Sequence, residues 1–299
     1  MEIKFIDREN SKECTEKVYG DKAIELLYET LPGKFISGLL ASKMISQIYG
    51  GQQDSRSSKK KISPFISNYN INMEEFLPEE GRDTSDPYSS FNQFFIRRFK
   101  QGKRVFAEET SQFSSPCEAR YFAYEELSES DSIPVKGSLW NAKALLKNDE
   151  WAKYFDNGPA LLARLCPVDY HRFHFPDSGK VLDSYPIPGA FHSVNPIALK
   201  ANQKIFKENE RFVSILDTEN FGKIAYVEVG AMMVGKIIQS TSLENFKKGD
   251  EKGYFLFGGS TVIVFGEKGK WSPSRDILVN TKKGIETYVK LGSTLGHAI

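Results

Sequence analysis

The stretch YFLFGGSTVIVF, residues 254–265, combines two aromatic and β-branched runs with a central Gly-Gly-Ser. Aromatic and β-branched residues favour β-strands, and a glycine pair between two apolar runs is typical of a hairpin turn. The stretch therefore predicts two strands and assigns this part of the chain to a β-rich core. A second interpretation stays open, because the hydroxyl of Ser260 follows two flexible glycines and can attack the peptide bond that joins it to Gly259.

An apolar stripe marks the amino-terminal part of the chain. Its members recur at helical spacing and are Phe35, Ile36, Leu39, Leu40, Met44, Ile45, Ile48 and Tyr49. Such a stripe commonly packs on a protein core. It can also lie on a lipid surface, where the basic residues among positions 52–61 would meet anionic headgroups. The residues alone leave both interpretations open.

The character of the sequence changes along the chain. Helical spacing of apolar residues is found at 22–49, whereas from about residue 110 short β-rich runs alternate with Gly, Pro, Asn and Asp. We therefore predict an α+β fold with a helical amino-terminal region at residues 1–84. A β-rich core, shaped like a barrel or a sandwich, is expected at residues 85–299.

Length and composition limit the possible classes of function. The 299 residues are 40% hydrophobic and 13% aromatic, which is sufficient for a large buried core. A formal net charge of +1 argues against binding nucleic acid through overall charge. Three scattered cysteines form no disulfide framework, which fits a reducing compartment. No apolar run approaches the roughly 20 residues that span a bilayer, so we expect a protein that is soluble or lies on a membrane surface.

Two of the four histidines lie in the motif PVDYHRFHFP, residues 167–176. Their spacing differs from the i, i+4 pair of zinc-binding helices, so a metal is not expected. Prolines at both ends favour an extended segment, in which His171 and His174 would point to opposite faces unless the chain bends. Each histidine alone can be a hydrogen-bonded core residue, but imidazole is also the side chain best suited to general base catalysis near neutral pH.

A third segment, SSPCEAR at residues 114–120, carries Glu118 directly after a proline turn. A carboxylate in such a position is usually a surface residue. It can also orient a histidine, as the acidic member of a Ser-His-acid triad does.

Together the three segments resemble the phosphatidylserine decarboxylases, a pyruvoyl-dependent family whose members carry Ser-Pro-x-Asp, Pro-x-Asp-Tyr-His-Arg-x-His-x-Pro and Gly-Ser-Thr-Val-Ile in this order. This chain has SPCE at 115–118, PVDYHRFHFP at 167–176 and GSTVI at 259–263. FNQFF at 91–95 is a further match. The resemblance covers about residues 85–299, and the chain departs from it at Glu118, where the family has Asp.

The resemblance implies that the chain cuts itself between Gly259 and Ser260. Ser260 would attack the carbonyl of Gly259, His174 would take the hydroxyl proton, and Glu118 would orient the imidazole. The products would be a β chain and an α chain that stay associated and that span 1–259 and 260–299. Ser260 would become a covalent pyruvoyl group, the cofactor of the second reaction.

In that second reaction, the resemblance implies that the pyruvoyl group forms a Schiff base with phosphatidylserine and decarboxylates it to phosphatidylethanolamine. His171 would contact the substrate or donate the proton that replaces carbon dioxide. Because the substrate is a membrane lipid, the resemblance favours the lipid-binding interpretation of region 1–84 and a peripheral location on the cytoplasmic face of a membrane. It also implies a homodimer.

Another tetrapeptide, LGST at 291–294, also resembles a processing sequence. A cut before Ser293 would leave a peptide too short to form a strand and its return, and Val-Ile does not follow. Three other functions remain open: a pyruvoyl-dependent decarboxylase of a soluble amino acid, a Ser-His hydrolase without self-cleavage, and a non-catalytic lipid-binding module. The hydrolase is disfavoured because the Gly-x-Ser-x-Gly pattern is missing around Ser260.

Overall fold

The computed structural model describes residues 3–17, 50–127, 141–194, 198, 202, 204–231, 236–240, 244–258 and 260–299. The predicted apolar stripe at 35–49 lies outside these ranges, and so does Gly259. The predicted β-rich core is confirmed by the strands that the described residues form.

The strands of the described residues fall almost entirely in the carboxy-terminal two thirds of the chain. They are β1 (Lys4–Asp7), β2 (Lys12–Thr15), β3 (Gln112–Ser114), β4 (Ala119–Leu127), β5 (Gly158–Leu165), β6 (Arg172–His174), β7 (Gly179–Ile187), β8 (Arg211–Thr218), β9 (Gly222–Gly230), β10 (Ile237–Gln239), β11 (Asn245–Phe246), β12 (Glu251–Phe255), β13 (Ser260–Gly266), β14 (Trp271–Pro273), β15 (Glu286–Val289) and β16 (Thr294–Ala298).

The helices whose bounds lie within the described residues are short and lie between the strands. They are α1 (Ile62–Tyr69), α2 (Phe91–Phe95), α3 (Ala142–Leu146), α4 (Asp149–Ala152), α5 (Ile205–Glu208) and α6 (Arg275–Lys282), with 3-10 helices at Arg56–Lys61, Met73–Glu75 and Lys153–Phe155.

Most strands form one ten-stranded sheet in the order β11-β7-β8-β9-β13-β5-β4-β15-β1-β2. The pairing is antiparallel except between β1 and β15, which run parallel. Two three-stranded sheets, β10-β12-β6 and β14-β16-β3, accompany it. The large sheet has β11 and β2 at its two ends, so among the described residues it is an open sheet rather than a closed barrel.

Strand β13 crosses the centre of the large sheet and is buried along its whole length. Val262 and Val264 face one core, which they share with Phe173 of β6 and Trp271 of β14 from the small sheets. Ile263 and its neighbours on the other face pack on a second core with the helices that follow residue 141. The small sheets thus cover one face of the large sheet. Of the two expected shapes, barrel and sandwich, this arrangement corresponds to the sandwich.

The Gly-Gly pair does not close a hairpin, so this interpretation of the sequence was wrong. Strand β12 pairs with β10 and β6 in a small sheet, whereas β13 pairs with β9 and β5 in the large sheet. The residues between them therefore carry the chain from one sheet to the other. Gly258 has a φ of 149°, a conformation that side chains rarely adopt, which explains why glycine is needed at this crossing.

The amino-terminal region also differs from the prediction of a helical segment at 1–84. Residues 4–7 and 12–15 form β1 and β2, and β1 adds them to the large sheet through β15. Each of these strands is too short to show a periodic pattern in the sequence. Their conformation is decided by pairing with residues that are distant along the chain. Helix α1 is described, and its Ile62 and Phe65 pack on the aromatic residues of α2.

Candidate active site

Ser260 is the first residue of β13 and is fully buried. Its backbone pairs with Leu165 at the end of β5 and with Gly230 at the end of β9. The hydroxyl is therefore held at a fixed position between two neighbouring strands. The strand that precedes it along the chain, β12, ends at Phe255 and belongs to a small sheet.

The hydroxyl of Ser260 contacts a histidine from the motif at 167–176. The distance from Ser260 Oγ to His171 Nδ1 is 3.1 Å, and His171 Nε2 lies 2.8 Å from the carbonyl oxygen of Cys166. Because a carbonyl oxygen only accepts hydrogen bonds, the proton of the neutral ring must lie on Nε2. Nδ1 is then the acceptor, and the Ser260 hydroxyl donates to it.

Burial keeps this imidazole neutral. The ring of His171 stacks on Phe95 with 3.8 Å between ring centroids, and His171 is fully buried. Burial lowers the pKa of His171 to about 3; the bond to Cys166 raises it, and the positive charge of Arg97 lowers it. The ring is thus ready to accept a proton near neutral pH, but it can hold that proton only briefly.

A turn formed by Asp169 fixes the carbonyl that sets the tautomer of His171. The Cys166 oxygen accepts from the backbone N–H of Asp169 at 2.9 Å, and the Cys166 N–H donates to Asp169 Oδ2 at 2.6 Å. Arg120 Nη1 donates to the same carboxylate oxygen at 2.6 Å. Burial raises the pKa of Asp169 to about 6, against the opposing effect of Arg120.

Arg97 ties this turn to helix α2. Its guanidinium Nη2 donates to the carbonyl oxygens of Val168 at 2.9 Å and of Asp169 at 3.2 Å. The guanidinium is buried and stacks on Phe76, 4.4 Å from the ring centroid. Burial lowers the pKa of Arg97 to about 10, so the guanidinium remains charged at neutral pH.

His174, the base expected from the resemblance, lies in a different set of contacts. Its Nδ1 is 2.9 Å from the carbonyl oxygen of Gly249, and its Nε2 is 3.2 Å from the hydroxyl of Tyr170. Burial lowers the pKa of His174. His171 and His174 point in different directions because His171 stands just before the extended segment that contains His174.

Glu118, the expected orienting acid, is held by a cation. Arg104 donates to both of its carboxylate oxygens, at 2.5 Å from Nε and 2.9 Å from Nη2. Tyr288 Oη donates to Oε1 at 2.8 Å, and the Leu291 N–H donates to Oε2 at 3.3 Å. The structure therefore brings Ser260 and His171 together and leaves Glu118 and His174 in separate networks.

Several residues of this site were missed by sequence reasoning. Asp169 lies inside the quoted motif, two residues before His171, so its carboxylate was visible as a candidate. The carbonyl of Cys166 and the ring of Phe95 had no recognisable signal, because a backbone atom and an apolar side chain carry no chemical pattern of their own. The described residues also contain no group of three or more His, Cys, Asp or Glu side chains suited to a metal ion.

The environment of Ser260 is compatible with a pyruvoyl group formed at this position. After a cut on its amino side, residue 260 would still be paired with Leu165 and Gly230, so the sheet itself would hold the new chain end. The imidazole of His171 would remain beside it.

Comparison with known proteins gives a consistent result. The sequence model of the family described as phosphatidylserine decarboxylase matches residues 91–297. The phosphatidylserine decarboxylase proenzyme of Clostridium tetani is 42% identical over 98% of both chains. Those of Clostridium novyi and Fusobacterium nucleatum are 43% and 39% identical, over 98% and 99% of this chain and 99% and 97% of their own. This chain belongs to the phosphatidylserine decarboxylase family.

Proposed function

We propose that this protein is a phosphatidylserine decarboxylase proenzyme that cuts itself between Gly259 and Ser260 and then converts phosphatidylserine to phosphatidylethanolamine. The observation that carries the proposal is the 3.1 Å contact between the Ser260 hydroxyl and the unprotonated Nδ1 of His171. The serine lies at the position where the motif places the cut, and a buried neutral base is in direct contact with it. Family membership supplies the substrate.

The first reaction is a shift of the peptide carbonyl from nitrogen to oxygen. As Ser260 Oγ bonds to the carbonyl carbon of Gly259, its proton moves to His171 Nδ1. The Cys166 carbonyl keeps its bond to Nε2 and holds the ring in place. Because burial disfavours the charged ring, the proton passes on to the departing nitrogen of Ser260, and an ester replaces the amide.

The second step removes this ester. Loss of the α-proton of residue 260 expels the Gly259 carboxylate and leaves a dehydroalanine at the new chain end. Water then replaces its nitrogen, which departs as ammonia, and the pyruvoyl group remains. The two chains stay together because the α chain supplies β13 to the centre of the large sheet, between β9 and β5, and also β15, between β4 and β1.

The pyruvoyl group supplies the electron sink for decarboxylation of the bound lipid amine. Among the described residues, His171 brings an imidazole into contact with position 260, so we assign to it the proton that the product carbon receives. Its Nδ1 accepts a hydrogen bond from the Ser260 hydroxyl in the uncut chain, and after taking up a proton it can deliver that proton to an atom at position 260. Phe95, stacked on the ring, excludes water from this face of the imidazole.

A hydrolase acting on an external substrate fits the geometry poorly. In the uncut chain Ser260 is fully buried, so a substrate in solution cannot reach its hydroxyl before the chain is cut. Burial of the nucleophile therefore favours self-cleavage over hydrolysis of other molecules.

We further propose that the protein is a homodimer and acts at the cytoplasmic face of a membrane through the apolar stripe at residues 35–49 within the region 1–84. The lipid substrate supports this placement, since the enzyme must meet the bilayer. Within the described ranges, no helix combines the length and apolar composition needed to cross a bilayer.

Self-cleavage is tested by denaturing electrophoresis and mass spectrometry of the purified protein. We expect two pieces, 1–259 and 260–299, the smaller one with a blocked amino terminus. Ser260→Ala should give a single uncut chain, because the nucleophile is gone. Ser293→Ala is the matched control and should be cut normally; active protein that consists of an intact chain with a free serine would contradict the proposal.

The two histidines are tested side by side. His171→Ala removes the acceptor of the Ser260 proton and should slow cutting by about 10²-fold or more, the usual contribution of a general base. His174→Ala removes the contacts of this ring with Gly249, Tyr170 and Phe106 but leaves the Ser260–His171 contact in place, so it should have the smaller effect. If His174→Ala cuts more slowly than His171→Ala, the general base is His174, as the family resemblance implies.

The pH dependence of cutting reports on Asp169. His171, with its pKa of about 3, is neutral between pH 5 and 8, whereas Asp169 titrates at about 6 and faces Arg120, Glu16 and Glu118. As the pH falls through 6, Asp169 gains a proton and its charge-assisted bonds weaken. We expect cutting to slow below about pH 6, measured as a rate from gels at each pH.

Two variants test whether Asp169 causes the slower cutting below about pH 6. Asp169→Asn cannot titrate and should make the rate independent of pH in this range. Glu118→Gln leaves Asp169 able to titrate, so cutting should still slow at low pH, but at a somewhat lower pH because a negative charge near Asp169 is lost. If Asp169→Asn still cuts more slowly below about pH 6, a group other than Asp169 causes the pH dependence.

Membrane binding is tested by flotation with liposomes that contain anionic lipids. Leu39→Glu combined with Ile45→Glu places two charges on the apolar stripe and should abolish flotation while cutting continues. Ser42→Glu combined with Gln47→Glu adds the same charge to the polar side and should weaken flotation far less. Equal flotation of the first pair and the unmodified protein would refute the proposal.

A further inference from the structure

A buried asparagine holds the segment that leads into the proposed cut. Asn92, in helix α2, is 1% exposed, and its Oδ1 accepts a hydrogen bond from the backbone N–H of Phe257 at 2.9 Å. Phe257 lies three residues before Ser260, after the end of β12 and before the start of β13. This bond is thus an anchor for the crossing between the two sheets.

The other side of the same amide is held by a carboxylate. Asn92 Nδ2 donates to Asp54 Oδ1 at 2.7 Å and lies 3.5 Å from the carbonyl oxygen of Gly50. The N–H of Phe257 can only donate, and the Asp54 carboxylate only accepts. These two partners fix the orientation of the amide, so that its oxygen must face Phe257.

The aromatic residues of α2 contact both reacting parts of the site. The rings of Phe91 and Phe95 lie edge-on to Phe257, with 5.0 and 5.1 Å between centroids. Phe95 also stacks on His171 at 3.8 Å. One turn of helix therefore touches the segment before the cut and the base that faces Ser260.

From these contacts we infer that Asn92 is a positioning residue for self-cleavage, held in its working orientation by Asp54. The inference rests on the proposed self-cleavage. Asn92 does not touch the reacting atoms. It acts through the backbone of Phe257, which sets where the glycines before Ser260 can lie.

The physical reason is the freedom of the glycine segment. Gly258 has a φ of 149°, and a backbone of this kind has many conformations in which the carbonyl to be attacked is out of reach of Ser260 Oγ. Anchoring Phe257 by one hydrogen bond and two ring contacts restricts these conformations. Displacements of about 1 Å in such a geometry can change a rate by about 10²-fold.

The test exchanges the chemical roles of the two partners. In Asn92→Asp, the residue can still accept from Phe257, but it can no longer donate to Asp54, and two carboxylates face each other. We expect cutting to slow by about 10- to 100-fold. In Asp54→Asn, the new amide oxygen still accepts from Asn92 but without the charge of the carboxylate, so cutting should slow by less than about threefold.

The double variant, Asn92→Asp with Asp54→Asn, restores a donor and an acceptor in exchanged positions. We expect its cutting rate to return to within about threefold of the unmodified protein. Gln93→Ala, on the same helix, is the control for general damage to α2. Each rate is measured from freshly translated full-length protein on denaturing gels, and each melting temperature is recorded to show that the variant is folded.

The outcomes are distinct. Equal rates in Asn92→Asp and the unmodified protein would overturn the inference, and so would a double variant as slow as Asn92→Asp. A slow Gln93→Ala would also overturn it, since the effect would then belong to the helix in general. If the unmodified chain never cuts, the proposed function fails instead.

Discussion

The site depends on the position of β13 at the centre of the ten-stranded sheet. Because β9 and β5 hydrogen-bond to its two edges and cores cover its two faces, Ser260 of the uncut chain is held in place and shielded from solvent. Such a serine can react only with its own chain or with groups that the fold brings to it. The same pairing explains how a cut before residue 260 leaves the structure intact, since the strand is held by its neighbours rather than by the bond that breaks.

Burial also determines the chemistry of the base. A histidine in a charged triad is oriented by a carboxylate, whereas the Nε2–H of His171 donates to the carbonyl of Cys166. The nearest acid, Asp169, acts through the backbone instead of through the ring. Its carboxylate accepts from the N–H of Cys166 and so holds the turn whose carbonyl contacts His171. A neutral ring with a pKa of about 3 is a weak base, so it holds a proton only briefly and passes it on.

Sequence reasoning identified Ser260 and the histidine motif but could not distinguish the contacts of the two histidines. A spacing of three residues in an extended segment predicts opposite directions, yet nothing in the motif indicates which one faces the serine. The pairing of Glu118 with Arg104 was equally hidden, because a surface-type basic residue 14 positions away has no distinguishing pattern. The bond between Asn92 and Phe257 joins residues 165 positions apart.

The sequence by itself determined the β-rich core, the apolar strand after Ser260 and the family, because each depends on the order of residue types along the chain. The tertiary structure alone decided that the glycines cross between two sheets instead of closing a hairpin, and that His171 rather than His174 meets the hydroxyl. Both outcomes depend on which strands become neighbours. Strand pairing is set by burial of whole faces over the entire sheet, and no local pattern encodes it.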